Sequence, residues 1–150
     1  MVTEDYVSFE IAKLLKEKGF DCNTNCYYVE DSVTRTLFYS PIRENHNASI
    51  ENNEFDIHIN ISNGKMSAPT LQMVMKWLRE EKNFFIEIQC YGCEANEKAH
   101  FEYSYVIEEF VKYEDECLTL GLEHIKGKSR FNSYEEACEA AIKYCLEKLV

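Results

Sequence analysis

The sequence predicts an α+β fold in which about three helices pack on an antiparallel sheet, in the order α-β-β-β-α-β-β-β-α. Two kinds of pattern support this prediction. Several segments repeat apolar residues at the spacing of an amphipathic helix, and others alternate apolar and polar residues as half-buried strands do. Helices and strands do not alternate strictly along the chain, which favours an antiparallel sheet over parallel βαβ units.

Local signals mark the ends of the three helices. The first ends near Gly19, which suits the left-handed residue that follows many helices. We expect the second helix to have Ser67 as N-cap and Pro69 in its first turn, where a missing N–H is harmless. Ser133 and Glu136 have the spacing of a capping box at the start of the third helix.

The strands are predicted from alternation and from β-branched and aromatic residues. Strict alternation over residues 55–61 predicts a strand with one wet face, and residues 40–53 are predicted to form a surface loop. The other predicted strands are residues 26–30, 34–39, 84–90, 101–107 and 117–124.

A length of 150 residues predicts a single domain, residues 1–150. Residues 13–17 resemble residues 76–80, and each of these segments ends a helix that leads into a strand. This repetition leaves open an alternative of two similar halves, residues 1–63 and 64–150.

Composition restricts the location and the partners. Seven cysteines scattered among apolar residues indicate reduced thiols rather than a disulfide framework, and no apolar run is long enough for a membrane helix. The N-terminal residues are acidic and lack the features of a signal peptide, so we expect a location in the cytoplasm. A net charge of −11 disfavours direct binding of nucleic acid or membrane and suits a basic partner.

A basic segment interrupts the acidic sequence at residues 126–130, immediately before the third helix. Free N–H groups at a helix N-terminus attract anions, so a phosphate could bind there, and nearby aromatic rings could stack on a base. The alternative is an exposed loop in which lysine serves solubility. The predicted ligand-binding residues are Lys126, Lys128, Ser129, Arg130, Tyr28 and Tyr39.

Other motifs are weaker. Four cysteines in a C-x-x-x-C and a C-x-x-C pair could bind zinc, although turn cysteines are the more common explanation, and neither a metal nor a cofactor is predicted. These cysteines are Cys22, Cys26, Cys90 and Cys93.

His58 and Asp56 could act in acid–base chemistry on one strand face, and a solvated face is the alternative. The acidic residues 108–109 and 114–116 could bind a basic protein or mimic nucleic acid.

Three helical segments together resemble a family of small uncharacterised proteins encoded by phages and mobile elements of gut anaerobic bacteria. The segments are residues 4–20, 68–80 and 134–147. The resemblance implies no site residue. It implies a context, because small accessory phage proteins of this kind often counter host defences by sequestering a nucleotide signal or by occupying a host protein.

Two functional hypotheses follow. The first is a non-enzymatic antagonist of host defence that sequesters a small anionic, nucleotide-like signal, in the form of a monomer or a homo-oligomer. The second is an acidic interaction protein that binds and inhibits a host protein. An enzyme ranks third, because no G-x-S-x-G, H-E-x-x-H, G-x-G-x-x-G or P-loop motif occurs.

Overall fold

The three helices form where their periodicity predicts them. The computed structural model of the chain describes residues 5–29, 33–47, 64–95, 98–112, 120–125 and 129–150. The helices are α1, Phe9–Glu17; α2, Leu71–Glu81; and α3, Tyr134–Lys148. α1 ends as predicted, because Gly19 has a φ angle of +80° and the N–H of Phe20 donates to Leu15 O at 2.9 Å.

The start of α2 differs from the prediction. Ser67 is not its N-cap, because Ser67 is buried in a short strand and the helix begins only at Leu71. The N–H of Ser67 donates to Asn47 Oδ1 at 2.8 Å, and its Oγ accepts from the N–H of His46 at 3.0 Å. Long-range hydrogen bonds to His46 and Asn47 therefore use the groups that a cap would need.

The start of α3 is close to the prediction. Ser133 Oγ accepts from the N–H of Glu136 at 3.1 Å, as in a capping box. The carboxylate of Glu136 reaches back one residue further than expected and accepts from the N–H of Asn132 at 3.1 Å.

The chain divides into two units, of which the first is Met1–Thr70. It contains α1 and an antiparallel sheet of β1, Thr24–Val29; β2, Phe38–Glu44; and β3, Lys65–Ser67, in the order β2-β1-β3. The prediction of a loop from residue 40 is wrong for residues 40–44, which belong to β2. Tyr39 pairs with Cys26 and Glu44 pairs with Thr24, so residues 40–43 bulge and lose the alternation on which strand prediction depends.

The second unit is Leu71–Val150. It contains α2, α3 and an antiparallel sheet of β4, Phe84–Ala95; β5, Lys98–Lys112; β6, Leu120–Ile125; and β7, Ser129–Phe131. The order is β4-β5-β6, and β7 also pairs with β5. The α+β class and the antiparallel pairing are confirmed, but the described strands form two sheets instead of one.

Each unit has its own apolar core. In the first, α1 packs against β3, and the buried side chains include Ile11, Leu15, Phe20, Tyr28 and Met66. In the second, α2 and α3 pack against each other and on β4, where Ile86 pairs with Ile107 of β5. The predicted strand at residues 55–61 lies outside the described residues, as do His58 and Asp56.

Candidate functional site

The basic segment is only partly described. Lys126 and Lys128 lie outside the described residues, and Ser129 begins β7. Arg130 adopts a φ angle of +81°, and its side chain is 81% exposed, with Nε 4.0 Å from Glu102 Oε2. Arg130 is therefore the single predicted cation among the described residues, and the Glu102 carboxylate already lies beside it.

The N-terminus of α3 is occupied by the chain's own acceptors. The N–H groups of Glu136 and Asn132 are bonded to Ser133 Oγ and to the Glu136 carboxylate. Glu135 and Glu136 also place negative charge in the first turn, where it interacts favourably with the helix dipole. These contacts reduce the attraction that this helix end would have for an external anion, and the anion site stays a prediction.

The two predicted aromatic ligands have different environments. Tyr28 is buried, its hydroxyl donates to Val7 O at 2.9 Å, and its ring meets Phe9 edge-on at 5.5 Å. Tyr39 is exposed on β2. Tyr28 thus packs in the core of the first unit, and only Tyr39 of this pair presents its ring to solvent. Both belong to the first unit, whereas Ser129 and Arg130 belong to the second.

The cysteine pairs have no zinc-knuckle geometry. Cys90 and Cys93 lie on β4, which pairs with β5 without interruption from Phe84 to Ala95, so no turn separates them. Cys22 and Cys26 belong to the first unit, and Cys26 is buried. No described group of three or more histidine, cysteine or acidic side chains could hold a metal ion. Burial raises the pKa of the Cys145 thiol to about 12, as expected for a neutral core thiol.

An exposed apolar segment, residues 33–43, is the feature that sequence reasoning missed. Val33 is 98% exposed, Tyr39 70% and Ile42 66%. β2 contains no fully buried side chain. The large apolar side chains that the segment exposes are Val33, Leu37, Phe38, Tyr39 and Ile42. Apolar surface concentrated in this way is typical of a binding site.

The segment carries positive charge and no negative charge. It contains Arg35 and Arg43 but no aspartate or glutamate, in a chain with 27 acidic residues. Arg35 pairs with Glu10 at 2.8 Å and lies over the Phe9 ring at 5.2 Å, and Arg43 Nε donates to Asn23 O at 3.0 Å. Residues 57–79 and 124–134 also lack aspartate and glutamate, so charge alone does not distinguish this surface in the sequence.

Side-chain hydrogen bonds fix the shape of the bulge. Asn25 Nδ2 donates to Ser40 O at 3.3 Å, and the N–H of Ile42 donates to Ser40 Oγ at 3.2 Å. Pro41, in the middle of the bulge, has no N–H to donate. A proline and an irregular edge both oppose the addition of another strand, so recognition by this segment would depend on side chains.

A buried histidine lies at the end of β2. The side chain of His46 is 1% exposed, and its Nε2 lies 3.1 Å from Thr24 O. Nδ1 is 3.3 Å from Glu44 Oε1 but makes no hydrogen bond within the described residues. Burial lowers the pKa of His46, and the nearby Lys65 adds to this effect, while Glu44 and the Thr24 carbonyl oppose it.

Stacked rings connect His46 with the exposed segment. The His46 ring lies 4.8 Å from that of Tyr27, and Tyr27 stacks on Phe38 at 5.6 Å. Lys65 Nζ lies 4.9 Å from the Tyr27 ring. The contacts around Tyr27 on β1 therefore reach Phe38 on β2 and Lys65 on β3, so they join all three strands of the first sheet.

The described elements define an α+β protein with two antiparallel sheets, and none of its described helices has the length and apolarity for membrane crossing. No protein-family model, curated protein or solved structure matches the chain. The resemblance to phage-encoded proteins therefore stays a prediction.

Proposed function

We propose that the chain is a non-enzymatic interaction protein that binds a basic protein through residues 33–43. The exposure of large apolar side chains along this single segment is the observation that supports the proposal. If the resemblance to phage accessory proteins holds, the partner is a protein of the host and the consequence of binding is its inhibition.

The composition of the segment matches the centre of a protein interface. Interface cores are enriched in aromatic residues and arginine and depleted of acidic residues, and a few aromatic anchors supply most of the binding energy. Tyr39 and Ile42 project into solvent on either side of Pro41, and Phe38 is held by its stack on Tyr27. The contact would therefore desolvate large apolar groups without burying a carboxylate.

A basic partner is favoured by the charge of the whole chain. At −11, the protein attracts cationic proteins over long distances and repels acidic ones. At physiological ionic strength this attraction extends about 8 Å, so it accelerates encounter more than it holds the complex together. We expect the apolar segment to determine the dissociation rate and the acidic surroundings to determine the association rate.

Photo-crosslinking can test the surface directly. A photoreactive phenylalanine analogue would replace Tyr39 in one variant and Tyr91, an exposed tyrosine of β4, in a matched control. We expect a specific adduct with a basic protein only from position 39, and we expect Ile42→Ser to remove it. Equal adducts from both positions, or an acidic partner, would contradict the proposal.

Affinity measurements with the identified partner complete the test. Tyr39→Ser combined with Ile42→Ser should weaken binding more than about tenfold, because exposed anchors of this size are common hot spots. The matched control is Tyr91→Ser combined with Phe101→Ser, which removes two exposed aromatic side chains from β4 and β5. Equal affinities of the two double variants would count against the surface.

Sequestration of an anionic signal is the second candidate, favoured by the exposed Arg130 and its strained backbone. Lys128→Glu combined with Arg130→Glu should abolish binding of a nucleotide in calorimetry without unfolding the protein. Unchanged nucleotide affinity would exclude this role.

A further inference from the structure

We infer that His46 is a proton-sensitive anchor of β2: uptake of one proton at Nδ1 turns its contact with Glu44 into an ion pair and thereby changes the conformation of residues 33–43. The inference concerns regulation of the proposed binding surface, and its importance for partner binding rests on the proposed function.

The hydrogen bonds of His46 define its protonation state in this position. Thr24 O can only accept, so Nε2 must carry the proton that joins the two groups over 3.1 Å. In the neutral ring Nδ1 then has a lone pair, which faces the Glu44 carboxylate over 3.3 Å. Two acceptors face each other, and one added proton would turn this contact into an ion pair.

The groups around the ring decide whether that proton is favourable. The charged or titratable groups are Glu44 from β2, Lys65 from β3 and Tyr27 from β1. Glu44 attracts the imidazolium, but half of its side chain is exposed, so water screens the attraction. Lys65 repels it, and the ring itself is buried. The buried position therefore favours the neutral ring.

Protonation would change one of the two contacts between the ring and the paired ends of β1 and β2: Nε2 keeps its bond to Thr24 O, whereas Nδ1 gains a bond to Glu44. The Thr24 carbonyl and the Glu44 carboxylate, which both approach the ring, belong to residues that pair where β1 and β2 meet. The backbone N–H of His46 also bonds to Ser67 Oγ on β3. Through Tyr27 and Phe38, the ring further supports the exposed segment. A change in the contact between His46 and Glu44 would therefore affect both the end of β2 and, through Tyr27, the position of Phe38.

An NMR titration of the full chain tests this coupling without any partner. The ring nitrogens of His46 and the backbone amides of Phe38, Tyr39 and Ile42 would be followed from about pH 7.5 to about pH 5. We expect the ring to titrate below the ordinary histidine value of about 6.5, with the three amides shifting at the same midpoint. In His46→Gln, which keeps a donor for Thr24 O but does not titrate, these amide shifts should disappear.

A matched control and two contrary results make the test decisive. His100 is an exposed histidine of β5, and His100→Gln should leave the amide shifts of β2 unchanged. Amide shifts that persist in His46→Gln, or amides that stay still while the His46 ring titrates, would overturn the inference. If His46→Gln does not fold, the wild-type titration is still decisive, because amides that stay still while the His46 ring titrates would overturn the inference. Neither result bears on the crosslinking test, so the two proposals can fail separately.

Discussion

The two units of the chain differ in how much of each sheet the helices cover. In the first unit a single helix, α1, packs against β3, and β2 at the edge has no buried side chain. In the second unit α2 and α3 lie together on β4, and α3 also covers β5. Among the described residues, five of the eight exposed large apolar side chains lie in the first unit, all within residues 33–43, and this is why the candidate interface lies there.

The strand orders also differ between the units. The strand that follows the helix is central in the first sheet, order β2-β1-β3, but lies at the edge of the second, order β4-β5-β6. Among the described strands, the two sheets therefore have different topologies. This gives no support to two similar halves, although each unit has a helix followed by several strands.

Truncation of core side chains should give the largest difference in stability between the two units. Leu15→Ala on α1 and Leu78→Ala on α2 each remove a fully buried side chain, and each should cost about 2–5 kcal/mol. We expect the larger loss for Leu78→Ala, because its helix is packed against both β4 and α3, which leaves less room for collapse. Hydrogen exchange of β1 and β4 amides would measure both losses. A larger loss for Leu15→Ala would contradict the view that the first unit is the less covered one.

Helix caps provide a second test. Ser133→Ala should lower the free energy of unfolding by about 1 kcal/mol, because the Glu136 N–H loses its acceptor. Ser8→Ala at the start of α1 is the matched control, since Ser8 makes no side-chain cap bond. Urea unfolding would compare the two variants. Equal losses would show that the caps of the two units do not differ in strength.

Backbone angles provide a third test, because both units have a residue with positive φ. Gly19→Ala should cost about 1 kcal/mol in the first unit, purely from conformational strain, as an added Cβ would meet open space. Arg130→Gly in the second unit should stabilise it by about 0.5 kcal/mol, since relief of strain exceeds the added chain entropy. Thermal unfolding would show shifts of opposite sign; shifts of the same sign would refute the expectation.

The smallest expected effect is a pH dependence confined to the first unit. Because folding lowers the pKa of His46, the unfolded chain takes up a proton at a higher pH than the folded chain does. The stability that depends on the neutral ring is therefore complete above about pH 6.5 and falls as the pH drops below that value. The advantage of wild type over His46→Gln, measured by hydrogen exchange of β1 amides, should shrink in acid. If the advantage of wild type instead grew in acid, folding would raise the pKa of His46, which would contradict the prediction.

Much of the fold could be predicted from sequence because its signals are local. The glycine after α1, the capping serine of α3 and the alternation of β4 and β5 each depend on residues close in the chain. The candidate site could not be predicted in the same way. The sequence predicts a strand at residues 34–39 and a loop from residue 40, and His46 is not part of a metal-binding or catalytic motif. Their roles come from contacts with Thr24, Tyr27 and Ser67, about twenty residues away.

By itself, the sequence determined the α+β class, the three helices and the acidic character of the chain, because periodicity, capping and charge are properties of neighbouring residues. Tertiary structure decided that the described strands form two sheets, that Ser67 pairs in β3 instead of capping α2, and that β2 stays exposed. These outcomes depend on which distant groups compete for the same hydrogen bonds and on how much sheet one helix can cover, and no local pattern contains that information.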